Sequence, residues 1–340
     1  MIRSKAPLRI SLAGGGTDLE AYAERYGGAV LNATISMYAY ATILPRADGR
    51  IVIRAIDRNI ELDTAMAEEI ETKEGLYLHA GVYHRIVKEF TKRPLGFELT
   101  TLVDAPPGSG LGSSSTLVVT ILGAFTQWLR LPLGEYDIAQ MAYEIERIDL
   151  KLSGGKQDQY AATFGGVNFM EFYKDNKVIV NPLRINESYL NELSYNLILY
   201  NTEVSRLSSQ IIETQQKNVL ENKVSAIEAM HGIKEQAIMM KEVLLRGEFE
   251  KIGEILDFGW HHKKKMASGI TNPYLDEIYD TAMKSGATGG KISGAGGGGF
   301  MVLYCPNNTR GEVIRALQRF GGQVKRYEYT TSGLTTWRSQ

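Results

Sequence analysis

The amino-acid sequence predicts a two-domain protein that combines β-strands with α-helices. Its 340 residues are 44% hydrophobic and 23% charged, and a chain of this length can form two hydrophobic cores. Alternating apolar residues, which indicate strands, prevail near the N-terminus, whereas helical periodicity prevails later. The 35 glycines exceed the usual share of about 7%, and the excess lies in three clusters that suggest binding sites.

The N-terminal half alternates predicted strands with predicted helices. Strands are expected at residues 9–13, 29–44, 50–62 and 97–103, and a hairpin at 167–172 and 178–180. Helices are expected at residues 19–26, 76–90, 116–129 and 134–150. A polar, asparagine-rich stretch at residues 182–193 marks a candidate boundary between an N-terminal domain, residues 1–187, and a C-terminal domain, residues 188–340.

The C-terminal half is predicted to be mainly helical, with three strands. The strands are expected at residues 197–200, 300–304 and 323–329. The helices are expected over a long tract at 210–265 interrupted near Gly247, at 272–285 and at 309–319. The histidine- and lysine-rich run at 261–265 is expected to be a solvated helix end, since adjacent side chains on a helix point to different sides.

Charge and cysteine content narrow the class of protein. The net charge of −1 and the pI of about 6.6 give no electrostatic basis for binding nucleic acid or an anionic membrane, so we expect small-molecule partners. Cys305 is the single cysteine, which excludes an intrachain disulfide and a cysteine metal site. With no leader-like or membrane-spanning stretch in the sequence, we expect a cytoplasmic monomer or homodimer.

A loop at residues 106–115 is the strongest functional signal. It joins a predicted strand to a predicted helix, and its alternate glycines permit positive φ, so that successive backbone N–H groups can converge on an anion. The helix N-terminus adds positive potential, and the serine hydroxyls suit Mg²⁺ bound to a phosphate. We therefore predict that ATP phosphates bind at Gly108, Ser109, Gly110, Leu111, Gly112, Ser113, Ser114 and Ser115.

Two known phosphate-loop patterns do not fit this loop. No lysine follows Gly112, as a Walker A loop requires, and Ser113 stands where the dinucleotide fingerprint needs its third glycine. The simpler alternative is a turn that caps a helix, but a cap needs only one hydroxyl.

The third glycine cluster, residues 289–299, also matches the dinucleotide fingerprint through Gly294, Gly296 and Gly299. That fingerprint requires a helix after the glycines, whereas an apolar strand follows here. A glycine run between strands permits close approach of another backbone segment or a ligand. The alternative is a flexible hairpin tip.

Three motifs in this order resemble the GHMP kinase family, which includes galactokinase, homoserine kinase and mevalonate kinase. They lie at residues 6–18, 107–114 and 291–299. The resemblance implies an α+β protein with the GHMP kinase fold: an N-terminal domain like ribosomal protein S5 domain 2, and a ferredoxin-like C-terminal domain. It also implies an ATP- and Mg²⁺-dependent small-molecule kinase.

Within the family, residues 9–19, 26–31 and 205–209 are most similar to kinases of a heptose 7-phosphate. This resemblance implies that ATP and a sugar phosphate are the partners and that the anomeric hydroxyl is phosphorylated. The alternatives are a GHMP kinase for an unphosphorylated sugar, such as fucose or galactose, and a non-catalytic regulator with the same fold.

The resemblance also assigns residues to the chemistry. Asp158 matches the family's catalytic base and Arg9 the cation paired with it, which would favour the carboxylate form. Ser114 and Glu146 match the Mg²⁺ ligands, and Glu144 is the weaker alternative; Glu146 could instead be a solvated helix residue.

The acceptor is expected to contact the first glycine loop. Gly15 and Gly16 replace a Glu-His pair of galactokinases, which opens space and removes negative charge, as a phosphorylated acceptor would need. Arg206 and Lys156 are the candidate cations for the acceptor phosphate, although either could form a surface ion pair. The predicted substrate-binding residues are Gly15, Gly16, Thr17, Asp18, Lys156, Arg206, Gly296 and Gly297.

Overall fold

The structure, a computed structural model, describes residues 1–71, 74–204 and 208–339. Its strands are β1 (Ile2–Ala13), β2 (Gly28–Pro45), β3 (Arg50–Ala55), β4 (Ile60–Ala65), β5 (Phe97–Val103), β6 (Val167–Phe172), β7 (Val178–Pro182), β8 (Leu197–Asn201), β9 (Gly289–Ile292), β10 (Phe300–Tyr304), β11 (Gln323–Lys325) and β12 (Thr335–Arg338).

The α-helices follow in chain order. They are α1 (Glu20–Tyr26), α2 (Tyr77–Ile86), α3 (Ser113–Leu129), α4 (Glu135–Glu144), α5 (Gln157–Phe164), α6 (Glu187–Asn196), α7 (Ser208–Leu220), α8 (Val224–Arg246), α9 (Ile252–Met266), α10 (Pro273–Lys284) and α11 (Arg310–Leu317). Helices α2 and α4 each continue as one π-helical turn, Val87–Thr91 and Ile145–Asp149. Short 3₁₀ turns lie at Ile56–Arg58, Phe249–Lys251 and Gln318–Phe320.

The larger sheet is organised around the long strand β2. Strands β12, β1, β2, β5, β3 and β4 follow one another across it, and β6 and β7 form a branch on β2. The first part of β2 pairs with β6 and its second part with β5. This division is possible because β2 has 18 residues, at least three times the usual strand length of about 5–6.

The smaller sheet has the ferredoxin-like arrangement. Its strands lie in the order β11, β8, β10, β9, and all of its neighbours are antiparallel. Numbered within this half of the chain, the order is 4-1-3-2, with helices between the first and second strands and between the third and fourth. Strand β10 is buried along its whole length, as a central strand of a covered sheet should be.

The apolar core crosses from one half of the chain to the other. One continuous cluster contains Leu12 and Phe125 from the first half and Ala237, Leu256 and Phe300 from the second. Strand β12 also pairs with β1, for example Arg338 opposite Ile2. The division near residue 187 stays a prediction, since the last strand returns to the larger sheet.

The structure differs from the sequence-based elements in places where local patterns are weak. Helix α6 overlaps the polar stretch expected to mark the domain boundary, and its start is capped by Asn186, which accepts a hydrogen bond from the Ser188 N–H. The predicted tract at 210–265 is three helices, and β12 was not predicted. Within the described ranges, no helix is both long enough and apolar enough to span a membrane.

Candidate active site

The candidate site is a cleft of about 510 Å³ where both halves of the chain meet. Its walls come from the loop before α1, the loop between β5 and α3, the segment from α4 to α5, and helices α7 and α9. The turn between β9 and β10 adds Gly294 and Ala295.

The phosphate loop presents alternate residues to the cleft. Gly108, Gly110 and Gly112 have φ angles of 77°, 77° and 76°, values that residues other than glycine rarely adopt. Together with Ser113, Ser114 and Ser115 they line the cleft. Helix α3 begins at Ser113, so its first N–H groups lie beside this lining, as anion binding requires.

Ser109 and Leu111 have a different role. Both are buried behind the loop, at 3% and 0% exposure. The carbonyl of Ser109 accepts a hydrogen bond from the Phe300 N–H at 3.0 Å, and that of Leu111 accepts one from the Arg9 N–H at 3.1 Å. These two residues therefore fasten the loop to β10 and β1, and their side chains do not line the cleft.

Asp158 and Arg9 meet although 149 positions separate them in the chain. Asp158 lies in the first turn of α5, and its Oδ1 is 2.7 Å from Nε and 2.6 Å from Nη2 of Arg9. The Arg9 Nη1 also donates to the carbonyl of Gly110 at 2.5 Å. Arg9 is buried, whereas the Asp158 side chain is 22% exposed and faces the cleft.

Asp158 is also adjacent to the phosphate loop. A Cβ atom placed on Gly112 would lie 3.1 Å from the Asp158 carboxyl carbon. Glycine at this position therefore lets the carboxylate approach the loop closely. A hydroxyl that donates its proton to Asp158 would lie directly beside the phosphates bound there.

Glu146 reaches the cleft from the π-helical turn after α4. Its side chain is 2% exposed and belongs to the cleft lining. Gln159 donates to Glu146 Oε2 at 2.5 Å and to Ser115 Oγ at 3.2 Å, so it links the carboxylate to the start of α3. A π-turn inserts one residue into a helix and is frequent at functional sites.

Glu144 does not line the cleft. Its carboxylate accepts from Arg85 Nη1 at 2.9 Å, and Arg85 also pairs with Asp149 at 2.7 Å. Arg85 thus holds both ends of the turn that carries Glu146. No group of three or more metal-binding side chains lies close together in the described residues, so a cation held by Ser114 and Glu146 would complete its shell with phosphate and water oxygens.

The first glycine loop also contributes to the cleft. Gly15, Gly16 and Asp18 line it. The Asp18 carboxylate accepts hydrogen bonds from the Gly16 N–H at 3.0 Å and from the Gln157 N–H and Nε2 at 3.1 and 3.4 Å. Thr17 is fully buried, and its hydroxyl bonds to backbone groups of Gly14 and Ala29. It therefore anchors the loop to β2 instead of facing the cleft.

Lys156 is not part of the cleft lining. Its ammonium donates to the Asn176 Oδ1 at 2.6 Å and lies 5.1 Å from the centre of the Tyr143 ring. Burial lowers the pKa of this ammonium below its ordinary value. The structure therefore does not bring Lys156 to the other predicted substrate residues.

Gly296 and Gly297 face a neighbouring segment. The Gly297 N–H donates to the carbonyl of Ile270 at 2.8 Å, and a Cβ on Gly296 would lie 2.9 Å from the Ile270 Cα. Their neighbours Gly294 and Ala295 line the cleft instead. Arg206 lies outside the described residues.

Several lining residues were not assigned to the site from the sequence, and the polar ones that matter most to the chemistry are Gln157, Arg147 and Lys263. Gln157 directly precedes Asp158, and its buried Oε1 has no hydrogen-bond partner. Lys263 was grouped with the solvated lysines around it. Its spacing from Leu256 and Trp260, both fully buried, was a helical signal that could have separated it from them.

This arrangement defines a class of protein. A glycine loop before a helix, a carboxylate held by arginine beside that loop and a second acidic side chain across it suit phosphoryl transfer from a nucleotide to a hydroxyl. Comparison with known proteins agrees. The family models for the GHMP kinases N-terminal and C-terminal domains match residues 77–166 and 240–323.

Individual relatives are similar over almost the whole chain. D-glycero-alpha-D-manno-heptose 7-phosphate kinase of Campylobacter jejuni is 47% identical, covering 99% of both chains. A solved structure described as a D-glycero-D-manno-heptose 1-phosphate kinase from Bacteroides thetaiotaomicron has a TM-score of 0.86 and 43% identity, covering 100% of both chains. A solved putative sugar kinase from C. jejuni has a TM-score of 0.82 and 46% identity, covering 99% of this chain and 98% of its own.

The chain belongs to the GHMP kinase family, and it is an ATP-dependent phosphotransferase. The predicted family and fold class are thereby confirmed.

Proposed function

We propose that this kinase transfers the γ-phosphoryl group of ATP to the anomeric hydroxyl of D-glycero-D-manno-heptose 7-phosphate. The products are ADP and the heptose 1,7-bisphosphate, an intermediate suited to making a nucleotide-activated heptose. In the reaction the acceptor oxygen bonds to the γ-phosphorus, its proton passes to Asp158, and the bond from the γ-phosphorus to the β,γ-bridging oxygen breaks.

The observation that carries the chemistry is the contact of Asp158 with both Arg9 and the phosphate loop. The two Arg9–Asp158 distances, 2.7 and 2.6 Å, fix the carboxylate next to Gly112. Arg9 donates to the Asp158 carboxylate through two nitrogens and can stabilise charge that develops on the phosphoryl group. A regulator that only binds ligands would not need this base.

The acceptor pocket is suited to a polyhydroxylated ligand. The Gln157 Oε1 is buried without a partner, and an unpaired buried acceptor costs about 1–3 kcal/mol. A sugar hydroxyl would satisfy it, and Asp18 would accept from others. The identity of 47% to a protein named as a heptose 7-phosphate kinase supports the heptose over fucose or galactose.

Mg²⁺ is part of the proposal. Ser114 and Glu146 would hold it, since a hydroxyl and a carboxylate are ligands that this hard cation accepts beside phosphate oxygens. Bound there, the ion would neutralise charge on the β- and γ-phosphates. Gln159 would keep the carboxylate oriented by its hydrogen bond to Oε2.

Two arginines are candidates for binding the acceptor's own phosphate. Arg206 stays the candidate from the sequence, and Arg147 is a cation that the structure adds at the cleft. The Arg147 Nε is buried without a partner. A cytoplasmic location, where ATP and sugar phosphates are available, and a monomeric or homodimeric state complete the proposal.

A panel of acceptors tests the function directly. ADP release is measured with Mg²⁺ and ATP for the heptose 7-phosphate, the heptose 1-phosphate, sedoheptulose 7-phosphate, fucose and galactose. We expect selective turnover of the heptose 7-phosphate. Because the Bacteroides relative is described as acting on the 1-phosphate, preference for that sugar would move the attacking hydroxyl to C7 and overturn the anomeric assignment.

The variant Asp158→Asn tests the base. A positioned general base contributes about 10²–10⁴-fold, so kcat should fall by that range while ATP still binds in a calorimetric titration. Asp280→Asn, an exposed aspartate on α10, is the matched control and should leave kcat unchanged. An Asp158→Asn rate within threefold of the parent would remove Asp158 as the base.

A further inference from the structure

Lys263 occupies a position in α9 where a solvated lysine was expected. Its side chain is only 2% exposed, although its neighbours His261 and Lys265 are exposed. On the same buried side of the helix lie Leu256, Trp260 and Met266. A lysine on a buried stripe gives up most of its hydration, and this cost calls for a compensating contact.

The ammonium of Lys263 has few contacts in the protein. It donates to the carbonyl of Gly294 and forms no ion pair with a carboxylate in the described residues. An ammonium has three donors, so two remain available. Because Lys263 also lines the cleft, these donors can reach a bound ligand.

Other charges near Lys263 are already paired with one another or with N–H groups. Arg9 is paired with Asp158, and the Asp18 carboxylate accepts three hydrogen bonds. A second buried lysine, Lys291 of β9, lies near Lys263, and burial together with its cationic neighbours holds the pKa of the Lys291 ammonium well below its ordinary value. With Arg9 paired to Asp158 and Asp18 already hydrogen-bonded, Lys263 has no counter-ion in the described residues, and an anion in the cleft would supply one.

The position of Lys263 indicates which anion. Its partner Gly294 touches the phosphate loop, because a Cβ on Gly294 would lie 2.7 Å from the Gly110 Cα. On the other side, Lys263 is near Arg9 and Asp18. The ammonium thus lies where the phosphate loop meets the acceptor pocket, the point that a phosphoryl group crosses during transfer.

We propose that Lys263 is a further catalytic residue, whose ammonium binds the phosphoryl group as it passes from ATP to the acceptor hydroxyl. This inference rests on the proposed phosphoryl transfer to Asp158-bound acceptor but on no particular sugar. Negative charge lies on the three peripheral phosphoryl oxygens in such a reaction, and a preorganised cation in a dry site stabilises it.

The protonation of Lys263 gives the proposal a second readout. Burial and the neighbouring Arg9 lower the pKa of the Lys263 ammonium to about 8, against the opposing effect of Asp18. Lys291 faces it from β9. Since only the charged form stabilises an anion, kcat/KM should fall as the pH rises through about 8.

The experiment compares Lys263→Met and Lys263→Arg with the control Lys265→Met, using whichever panel sugar the parent enzyme phosphorylates. We expect Lys263→Met to lower kcat about 100- to 1000-fold, as loss of a group that stabilises transition-state charge does. The acceptor KM should change less than threefold, and Lys265→Met should match the parent. Lys263→Arg should recover part of the rate and lose the decline near pH 8, since its guanidinium stays charged.

Several outcomes would overturn the proposal. A rise in acceptor KM with unchanged kcat would make Lys263 a binding group for the acceptor phosphate, and unchanged kinetics would make it structural. Persistence of the pH 8 decline in Lys263→Arg would assign it to another group, and this readout remains if Lys263→Met does not fold. The identity of the sugar is tested by the acceptor panel with the parent enzyme, and the role of Lys263 is tested by the variants. A wrong heptose assignment would therefore be recognised independently of the proposal for Lys263.

Discussion

The phosphate loop and the glycine run at 294–299 are both rich in glycines with positive φ, but these glycines have different structural roles. In the phosphate loop, Gly108, Gly110 and Gly112 line the cleft. In the run, Gly296 and Gly298 face the backbone of Ile270 and Val204, and Gly299 lies against the carbonyls of Gly108 and Ser109. The phosphate loop therefore exposes its backbone to the cleft, whereas Gly296, Gly298 and Gly299 of the run pack against other backbone segments.

This difference shows that a cluster of glycines in the sequence indicates a close contact with the backbone. It does not indicate whether the contacting group is a ligand or another segment of the protein. Both clusters meet at Gly110, whose Cβ would lie 2.3 Å from the Ser293 carbonyl oxygen. Substitutions on the two sides of this contact should therefore separate: those in the loop should affect kinetics, and those in the run should affect stability.

Gly112→Ala should give the largest effect in this comparison. The new Cβ would lie 3.1 Å from the Asp158 carboxyl carbon, so the base must shift, and small displacements of a reacting group can cost about 100-fold. We expect kcat to fall between about 10- and 100-fold, measured by ADP release. Gly49→Ala is the matched control, since Gly49 has a φ of 72° but no atom within 4 Å of its Cβ position.

If Gly49→Ala and Gly112→Ala lose stability equally and only Gly112→Ala loses activity, the loss is due to the contact with Asp158. Equal activity in both variants would contradict a cleft-facing role for Gly112.

Gly296→Ala should mainly reduce stability. Its φ of 113° is unfavourable for alanine, and its Cβ would lie 2.9 Å from Ile270 atoms, a combination that should cost about 1–3 kcal/mol. Urea unfolding measures the cost, and the KM values of the folded variant should stay within threefold. Gly311→Ala, with no atom within 4 Å, is the control and should be neutral or slightly stabilising.

A Gly296→Ala variant with parent-like stability and a raised acceptor KM would contradict this packing role and support the sequence-based prediction that Gly296 contacts substrate.

Lys291→Met should stabilise the protein. Burial, with Lys263 and Arg9 nearby, holds the pKa of the Lys291 ammonium well below its ordinary value. The unfolded state therefore binds more protons than the native state between this lowered pKa and about pH 10.4, the unperturbed value for lysine, and the native state carries a desolvation penalty that disappears as the pH rises through this range. Replacement by methionine removes this penalty, so we expect about 1 kcal/mol or more of added stability at pH 7, shrinking towards pH 10.

Urea unfolding at both pH values, with Lys265→Met as an exposed control, measures this gain. Destabilisation by Lys291→Met at both pH values would show that the ammonium is compensated in the native state.

Long-range contacts account for most of what the sequence left undecided. The strand-to-helix setting of the phosphate loop followed from local patterns, whereas the pairing of Arg9 with Asp158 was available only through the family resemblance, because nothing local joins them. The sequence also did not indicate which residues of the phosphate loop face the cleft. Ser109 and Leu111 face away from it because their carbonyls accept hydrogen bonds from β10 and β1. Strand β12 is four residues long, and only its pairing with β1 defines it.

Lysines were the least predictable site residues. Lys156 and Lys263 are both buried, but the ammonium of Lys156 donates to Asn176, whereas Lys263 lines the cleft. Local sequence is a poor guide for a long flexible side chain, since tertiary neighbours decide where the ammonium finds acceptors. The helical spacing of Lys263 from Trp260 carried the usable signal.

Arg9 links the proposed base to the phosphate loop. Its guanidinium binds both the Asp158 carboxylate and the Gly110 carbonyl, and its backbone N–H binds the carbonyl of Leu111. One residue of β1 therefore sets the spacing between base and phosphate loop. Because this spacing is built into β1, the alignment of the base with the phosphate loop does not have to be rebuilt in each catalytic cycle.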